Sequence, residues 1–334
     1  MKSQPQPASQ QRTPAHTASG PQATRLLPTH SAWRGYRLRR NLSFLLMALP
    51  GLLLLAVFAY LPMFGIVIAF KEYRAVDGIW GSAWAGLDNF RFLFGSQDAW
   101  RITHNTLLLN TLFILSNLVA SLALALLLYE LRSPWMTTFY QSALFFPFVI
   151  SWVIVGYFAF AFLNTNNGLL NQILAQFGIG PTRWYAAPQY WQAILTLVSL
   201  WKSAGFGCVI YLAGMLAINP EYYEAARVDG ASKWQQTWSI TLPLLQPLIV
   251  INVLLAVGRI FYADFGLFYN VTRDSSQLYP TTDVIDTYVF RALRTTGDVG
   301  MAAAAGFYQA VVGFVLVILS NWLVRRVDAE KALF

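Results

Sequence analysis

Three ionisable side chains, Lys202, Arg259 and Asp264, fall within or beside long apolar stretches of the sequence. A charge in the middle of a membrane span costs about 2.5–3.5 kcal/mol on insertion scales, so it usually faces a cavity or a partner. An arginine guanidinium can hold a carboxylate through two parallel hydrogen bonds. Arg259 is therefore the first candidate for contact with an anionic substrate. The alternatives are an ion pair with Asp264 and a position at the lipid interface.

The same part of the chain supplies further candidates for a substrate path. Asn252, Arg259 and Tyr262 recur near helical spacing, which predicts that one helix presents them on a common face of a cavity. A hydrogen bond between helices is the alternative role of Asn252. Lys202 has the same two interpretations as Arg259, and the neighbouring Trp201 would either stack on a ligand or pack against other helices.

Catalytic and metal-binding patterns are missing from the sequence. Cys208 is the single cysteine, which excludes an internal disulfide and a cysteine metal cluster. His16, His30 and His104 are scattered. No Gly-x-x-x-x-Gly-Lys-Ser/Thr segment occurs, so the chain does not hold nucleotide phosphates by that route.

The composition indicates an integral membrane protein. Of the 334 residues, 56% are apolar and 11% are charged, whereas a soluble domain carries about 25% charged residues. The net charge of +8 fits basic residues that flank membrane spans on the cytoplasmic side better than a nucleic-acid partner. A soluble enzyme is excluded on the same grounds.

Hydropathy predicts an all-α membrane domain over residues 42–334. About 20 apolar residues cross a bilayer as a helix, and stretches of this kind lie at 43–70, 104–129, 136–163, 190–217, 243–268 and 302–324. An even number of spans puts both termini on one side. The basic groups at Arg34–Arg40 and Arg325–Arg326 indicate that this side is the cytoplasm.

Residues 1–41 differ from the rest of the chain, because they are rich in Pro, Gln, Ser and Thr without apolar periodicity. This composition predicts a disordered, basic cytoplasmic tail. The apolar run that follows is too long for a signal-peptide core, so we expect it to be retained as a span.

Several predicted spans contain helix breakers, notably Pro147 in the third and Gly205, Gly207 and Gly214 in the fourth. Broken helices at membrane depth occur where backbone is buried in protein or lines a cavity. The alternative is that proline and glycine are simply common in membrane helices.

The most informative segment joins the fourth and fifth spans. Asn219 is a good N-cap and Pro220 suits the first helical turn. Glu221 and Glu224 would lie near the positive end of a short helix, and Gly230 is placed to end it in a left-handed conformation. A second amphipathic stretch then leads to Pro243.

This segment resembles the "EAA" signature of binding-protein-dependent ABC importer permeases. The pattern of Glu-Ala-Ala, three residues, Gly, nine residues, Ile, one residue and Leu-Pro is met at every defining position. Those positions are Glu224, Ala225, Ala226, Gly230, Ile240, Leu242 and Pro243.

Three other segments are similar to one subgroup of sugar permeases, which includes transporters of acidic oligosaccharides such as alginate and rhamnogalacturonan fragments. They are Tyr60–Lys71, Trp201–Gly207 and Asp283–Arg291. The resemblance runs from about residue 40 to the C-terminus and does not include the polar tail.

The resemblance implies a transport subunit of the type I importer fold, in the bacterial cytoplasmic membrane, rather than an enzyme. A second permease subunit would complete the path, two ATPase subunits would bind ATP and Mg²⁺, and an external solute-binding protein would deliver an oligosaccharide. Loop 218–243 would couple to the ATPase through Glu221, Glu224, Ala225, Ala226, Asp229, Gly230, Ile240 and Pro243. It implies no cofactor in this chain, contact with membrane lipid, and no nucleic-acid partner.

Other functions stay open at this point. A neutral oligosaccharide is the alternative substrate. An ion-coupled secondary transporter would use Lys202, Arg259 and Asp264 as a charge relay and would not need the coupling loop. A membrane enzyme would need paired acidic residues, for which Asp283 and Asp286 are the close pair in the last outer loop.

Overall fold

The computed structural model describes residues 30–95, 97–131 and 133–327. The chain divides into two compact units, residues 1–62 and 63–334. The predicted disordered tail lies outside the described residues as far as residue 29. From residue 30 onward that prediction is wrong, because the first helix begins at His30.

The first unit contains helix α1, His30–Leu55. Helix α1 continues as a π-helix over Ala56–Tyr60 and then as a 3₁₀-helix over Leu61–Phe70. The stretch Phe44–Phe70 is long and apolar enough to cross a membrane, as predicted for 43–70. Arginine and leucine are good helix formers, which explains why the helix extends into the predicted tail.

The second unit contains a small hairpin and a series of helices. Strands β1, Lys71–Glu72, and β2, Ala83–Trp84, pair antiparallel with Lys71 opposite Trp84. The longer helices are α3 (Asp88–Gly95), α4 (Gln97–Tyr129), α5 (Pro134–Val149), α6 (Trp152–Leu163), α7 (Leu169–Gln176), α8 (Trp191–Leu216), α9 (Pro220–Val228), α11 (Leu242–Gly258), α13 (Ile285–Thr296) and α14 (Val299–Val327).

Shorter elements connect these helices. They are α2 (Gly78–Gly81), α10 (Lys233–Gln236) and α12 (Tyr279–Thr282), 3₁₀-helices at Trp184–Ala186, Pro188–Tyr190 and Ser276–Leu278, and π-helices at Thr237–Thr241 and Leu267–Val271.

The third predicted span, 136–163, is not one continuous helix. Helices α5 and α6 are each too short to cross a membrane and are long and apolar enough only together, and they meet at 95°. Ser151 caps the new helix, because its side chain accepts a hydrogen bond from the N–H of Val153 at 3.3 Å. The side chain of Lys202 satisfies carbonyl groups that a continued α5 would have bonded internally. The described chain thus has five long spans and this broken one.

The fifth span, Lys233–Gly258, is as long as predicted but begins and ends about ten residues earlier. We expected a helix over 243–268, but α11 ends at Gly258 and the chain then turns. Two side chains from other helices donate hydrogen bonds to carbonyl groups of that turn. The Nδ2 of Asn110 donates to the carbonyl of Ile260 at 2.8 Å, and the Nε2 of Gln309 donates to that of Phe261 at 2.9 Å.

Glycines in α8 are packing contacts and not breaks, so of the two interpretations left open for the fourth span, irregular backbone does not apply. The helix runs without interruption from Trp191 to Leu216. A Cβ atom on Gly205 would lie 1.8 Å from the carbonyl oxygen of Leu144, and one on Gly207 would lie 2.3 Å from the Oγ of Ser121. Close approach of α4 and α5 to α8 therefore requires glycine here.

Candidate functional site

Helix α9 forms as the sequence predicts. The side chain of Asn219 accepts from the N–H of Glu221 at 3.1 Å, and Pro220 occupies the first helical position. Gly230 ends the helix with a φ of +79°. The N–H of Ala231 then reaches back to the carbonyl of Ala226 at 2.8 Å, which satisfies a carbonyl left free by the helix end.

One side chain of α9 anchors it to the membrane helices. Tyr223 is buried, and its hydroxyl lies 3.0 Å from the Oγ1 of Thr241, the residue before α11. The Tyr223 ring packs on Tyr129 at the end of α4, with ring centroids 6.0 Å apart. Next to this contact, Lys233 forms an ion pair of 2.9 Å with Glu130. The loop is thus attached to the ends of two spans.

The opposite side of α9 is open. Val228 is 88% exposed and Tyr222 is 56% exposed, so apolar as well as charged groups face outward. The side chain of Ala225 is small, so it does not project far from this surface. Within the set predicted for coupling, Glu221, Glu224, Ala225, Asp229, Gly230 and Pro243 are exposed, whereas Ala226 and Ile240 are half-buried.

A cavity of about 350 Å³ lies at membrane depth among α4, α8 and α11. Four polar side chains line it: Asn117, Ser121, Ser203 and Asn252. The Nδ2 of Asn252 donates to the carbonyl of Leu248 within the same helix at 2.9 Å, so the alternative of an interhelical bond does not describe it. Asn252 is the member of the predicted substrate set that lines this cavity.

Lys202 is 7% exposed, and its ammonium group bonds the backbone at the break between α5 and α6. Its Nζ donates to the carbonyls of Pro147, Phe148 and Ile150 at 3.2, 2.8 and 2.5 Å. The same ammonium group lies 5.0 Å from the centroid of the Trp152 ring. All three proton donors of Lys202 therefore have partners inside the protein.

The remaining substrate-path candidates do not meet at one site. The predicted helical face of Asn252, Arg259 and Tyr262 is wrong, because α11 ends before Arg259 and Tyr262 lies in the following turn. Both residues are exposed. Trp201 lines a separate apolar cavity together with Phe158 and Leu197.

Asp264 does not pair with Arg259. Its carboxylate accepts the Nε1–H of Trp152 at 2.8 Å and the N–H of Gly266 at 3.0 Å. Among the described residues no carboxylate lies within ion-pair distance of Arg259. Arg259 is thus available to an outside anion, whereas Asp264 is used to hold α6 against the turn after α11.

The acidic pair of the last outer loop is also structural. Asp283 is buried and bonds both Arg101, at 3.0 Å, and Arg291. Asp286 accepts from the N–H of Ala263 at 2.8 Å and from the Nε2 of Gln309 at 3.1 Å. Burial raises the pKa of Asp286, while these hydrogen bonds lower it by a smaller amount. Neither carboxylate is free for the membrane-enzyme chemistry considered above.

Three features were missed from the sequence. The buried anchor Tyr223 lies between Tyr222 and Glu224, which are both exposed, and only helical phase distinguishes it from them. The turn at Arg273 and Asp274 carries positive φ angles of 56° and 48° at residues other than glycine. A serine before an apolar run was the signal for the third feature, the start of α6 at Ser151.

Comparison with known proteins agrees with this architecture. Residues 106–329 match the family described as binding-protein-dependent transport system inner membrane component. The polygalacturonan/rhamnogalacturonan transport system permease protein YteP of Bacillus subtilis (strain 168) is 35% identical over 285 residues, which cover 85% of this chain and 88% of YteP.

Two solved structures share the fold. One is a bacterial ABC transporter involved in the import of the acidic polysaccharide alginate, with a TM-score of 0.80 and 32% identity over 90% of this chain and 100% of that chain. The other is a bacterial alginate ABC transporter in complex with its alginate pentasaccharide-bound periplasmic protein, with a TM-score of 0.79 and 32% identity over 87% and 97%.

Proposed function

The chain belongs to the family of binding-protein-dependent transport system inner membrane components, and from that premise we propose that it is the permease of a sugar ABC importer whose substrate is an acidic oligosaccharide. The similarity to YteP and to the alginate transporters supports this substrate class, because the polymers that those proteins handle carry carboxylates. An alginate-type uronate oligosaccharide is the representative substrate.

The observation that carries the substrate class, beyond similarity, is the state of Arg259. Its guanidinium lies exposed at the end of the fifth span and has no carboxylate partner among the described residues. An unpaired guanidinium near the membrane attracts an anion and can bind a carboxylate through two hydrogen bonds. A neutral oligosaccharide would leave Arg259 without this role.

The partners follow from the same premise. A second permease subunit would share the path, and two ATPase subunits would bind ATP with Mg²⁺ on the cytoplasmic side. An external solute-binding protein would deliver the sugar, as the periplasmic protein does in the similar alginate complex. This chain supplies no phosphate-binding loop of the Gly-x-x-x-x-Gly-Lys-Ser/Thr type, so it depends on a partner for ATP hydrolysis.

Helix α9 is the proposed coupling element. Its exposed side, from Glu221 to Asp229, would lie in a cleft of the ATPase, and its buried side moves with the spans to which Tyr223 is bonded. Closure of the ATPase dimer would then shift α4 and α11 together. The cavity that Asn252 lines lies between these helices and α8, so its shape would change with the ATP cycle.

The substrate test is ATPase activity of the reconstituted complex with its binding protein, measured with uronate oligosaccharides and with neutral maltodextrins. Stimulation by uronates alone supports the proposal. Stimulation by neutral sugars alone retains the importer and rejects the acidic substrate. The Arg259→Gln variant should lose uronate stimulation while its basal activity is unchanged.

The coupling test uses Glu224→Lys combined with Gly230→Pro. We expect the ATPase to dissociate or transport to stop, while the membrane domain stays folded, because the charge on the exposed face is reversed and the left-handed helix end is removed. The matched control is Glu72→Lys combined with Gly180→Pro, which changes exposed residues away from α9. Normal transport by the α9 variant would contradict the coupling role.

A further inference from the structure

A second polar cavity, of about 240 Å³, lies on the outer side of the second unit. It is lined by one face of α6 and by the chain around the turn that follows the π-helix Leu267–Val271. Its walls carry aromatic and polar side chains: Tyr157, Phe160, Tyr269, Asn270, Arg273 and Asp274. None of these residues belongs to the path candidates derived above.

The turn at this cavity has strained backbone at Arg273 and at the residue that follows it. Left-handed backbone at a residue other than glycine costs on the order of 1–3 kcal/mol, and it persists where neighbouring structure enforces it. Here Arg273 has a φ of +56° and Asp274 one of +48°. The Arg273 guanidinium lies over the Phe160 ring, 4.1 Å from its centroid.

Three contacts, two with Tyr185 and one with Arg291, hold this turn. The Tyr185 hydroxyl donates to the carbonyl of Val271 at 3.2 Å, and the hydroxyl of Ser275 donates to the carbonyl of Tyr185 at the same distance. From the other side, Arg291 forms an ion pair of 3.0 Å with Asp274. The position of Arg273 is therefore fixed by the packed structure before any ligand arrives.

The charges around the cavity favour an anion. The carboxylate of Asp274 is paired with Arg291, which it shares with buried Asp283, and Asp283 in turn bonds Arg101. Arg273 has no carboxylate partner among the described residues, and neither has Arg294, which donates to the Tyr269 hydroxyl at 3.2 Å. Two unneutralised guanidinium groups thus lie next to Tyr269.

The volume of the cavity is large enough for a single sugar unit and smaller than most sites for larger ligands. Sites for drug-sized ligands measure roughly 300–1,000 Å³, and this cavity is smaller, at about 240 Å³. The Phe160 ring supports the Arg273 guanidinium on one face, and Tyr269 adds aromatic surface to the wall of the cavity. The guanidinium provides the paired donors that a carboxylate requires.

We propose that this cavity is an outer subsite that binds one uronate residue of the substrate, with Arg273 bonding the carboxylate between Phe160 and Tyr269. The inference rests on the proposed function and adds a specificity site to it. In this proposal a charged sugar binds the outer subsite before it reaches the cavity lined by Asn252.

The test measures equilibrium binding of a uronate disaccharide and of its carboxyl-reduced neutral analogue to the intact transporter complex, by calorimetry without the binding protein. Asparagine tolerates left-handed backbone, so Arg273→Asn removes the guanidinium without adding strain. Loss of a charged hydrogen bond should weaken uronate binding about tenfold or more, with neutral binding unchanged. Arg273→Lys should recover part of the loss.

The control is Arg91→Asn, which removes an exposed arginine that pairs with Asp88 and does not line the cavity. It should bind both sugars as the wild-type complex does. Wild-type affinity in Arg273→Asn, or the same affinity of the wild-type complex for charged and neutral sugar, would overturn the subsite. Stimulation of the wild-type ATPase by loaded binding protein is measured separately, so that loss of the subsite is distinguished from failure of the proposed substrate class.

Discussion

The hydroxyl oxygens of Tyr223 and Thr241 lie 3.0 Å apart, buried between α9 and the start of α11. Through this pair a helix whose other side is exposed is bonded to a membrane helix. Thr241 is the last residue of the π-helix Thr237–Thr241, whose wider turns join α10 to α11. A displacement of α9 is therefore expected to move α11.

Tyr223→Phe tests this link because it removes one hydroxyl and keeps the ring on Tyr129. A buried neutral hydrogen bond contributes about 1 kcal/mol. We expect the number of sugars imported per ATP to fall severalfold, with the complex still assembled. The measurement is uptake and ATP hydrolysis in the same proteoliposomes.

Tyr190→Phe is the matched control for this change. The Tyr190 ring packs on Trp184, and its side chain is exposed on the outer side of the chain. The control should keep the wild-type coupling ratio. An unchanged ratio in Tyr223→Phe would show that motion reaches the spans by another contact.

Lys202 gives a second prediction, because it separates a structural role from a substrate role. Lys202→Met removes the donors for three carbonyl groups at the break between α5 and α6. Each buried group left without a partner costs about 1–3 kcal/mol. We expect a lower Tm and a lower yield of the complex, with the preference for uronate over neutral sugar unchanged in the protein that folds.

Trp201→Leu is the neighbouring control, since its side chain is about half exposed on the other face of α8. It should lower the Tm much less. A Lys202→Met complex with normal Tm and lost uronate response would instead make Lys202 a substrate contact.

Local features of this protein could be predicted from the sequence, and long-range ones could not. The caps of α9 depend on Asn219, Pro220 and Gly230, which all lie within or next to the helix that they define. The bend of the third span depends on Lys202, about fifty residues further along the chain. A hydropathy profile shows the length of an apolar segment. It does not show which distant amine bonds a carbonyl group within that segment.

The same reasoning explains the error at the substrate path. The end of α11 depends on Asn110 and Gln309, which come from α4 and α14. Because α11 stops at Gly258, the helical spacing of Asn252 and Arg259 no longer places them on one face. The outer subsite at Arg273 depends on a strained turn, and no spacing rule predicts such a turn at Thr-Arg-Asp.

Asp283→Asn is a prediction about the outer loop. Its carboxylate is buried between Arg101 and Arg291, so the change removes one carboxylate from each guanidinium group, while Arg101 keeps Asp98 and Arg291 keeps Asp274. Breaking an isolated buried pair costs about 3–5 kcal/mol, and the remaining partners place the cost here below that range. We expect a drop in Tm, measured on the complex in detergent. Asp88→Asn, in an exposed pair with Arg91, should change the Tm little.

Asp286 makes stability depend on pH, and the direction follows from its environment. Burial raises the pKa of this carboxyl above its ordinary value. The folded protein therefore binds the proton more tightly than the unfolded chain does. The resulting stabilisation is fully present below the unfolded pKa of about 3.9 and is lost as the pH rises through the folded pKa.

Asp286→Asn removes this titration and keeps an oxygen that can accept from the N–H of Ala263. The Tm of the wild-type protein minus that of the variant should fall as the pH rises from about 4 to about 7, because only the wild-type protein then buries a charge. Asp77→Asn, at an exposed turn of the outer loop, controls for general pH effects. A difference that rises with pH would mean that the hydrogen bonds from Ala263 and Gln309 outweigh burial and hold the carboxylate in its charged form.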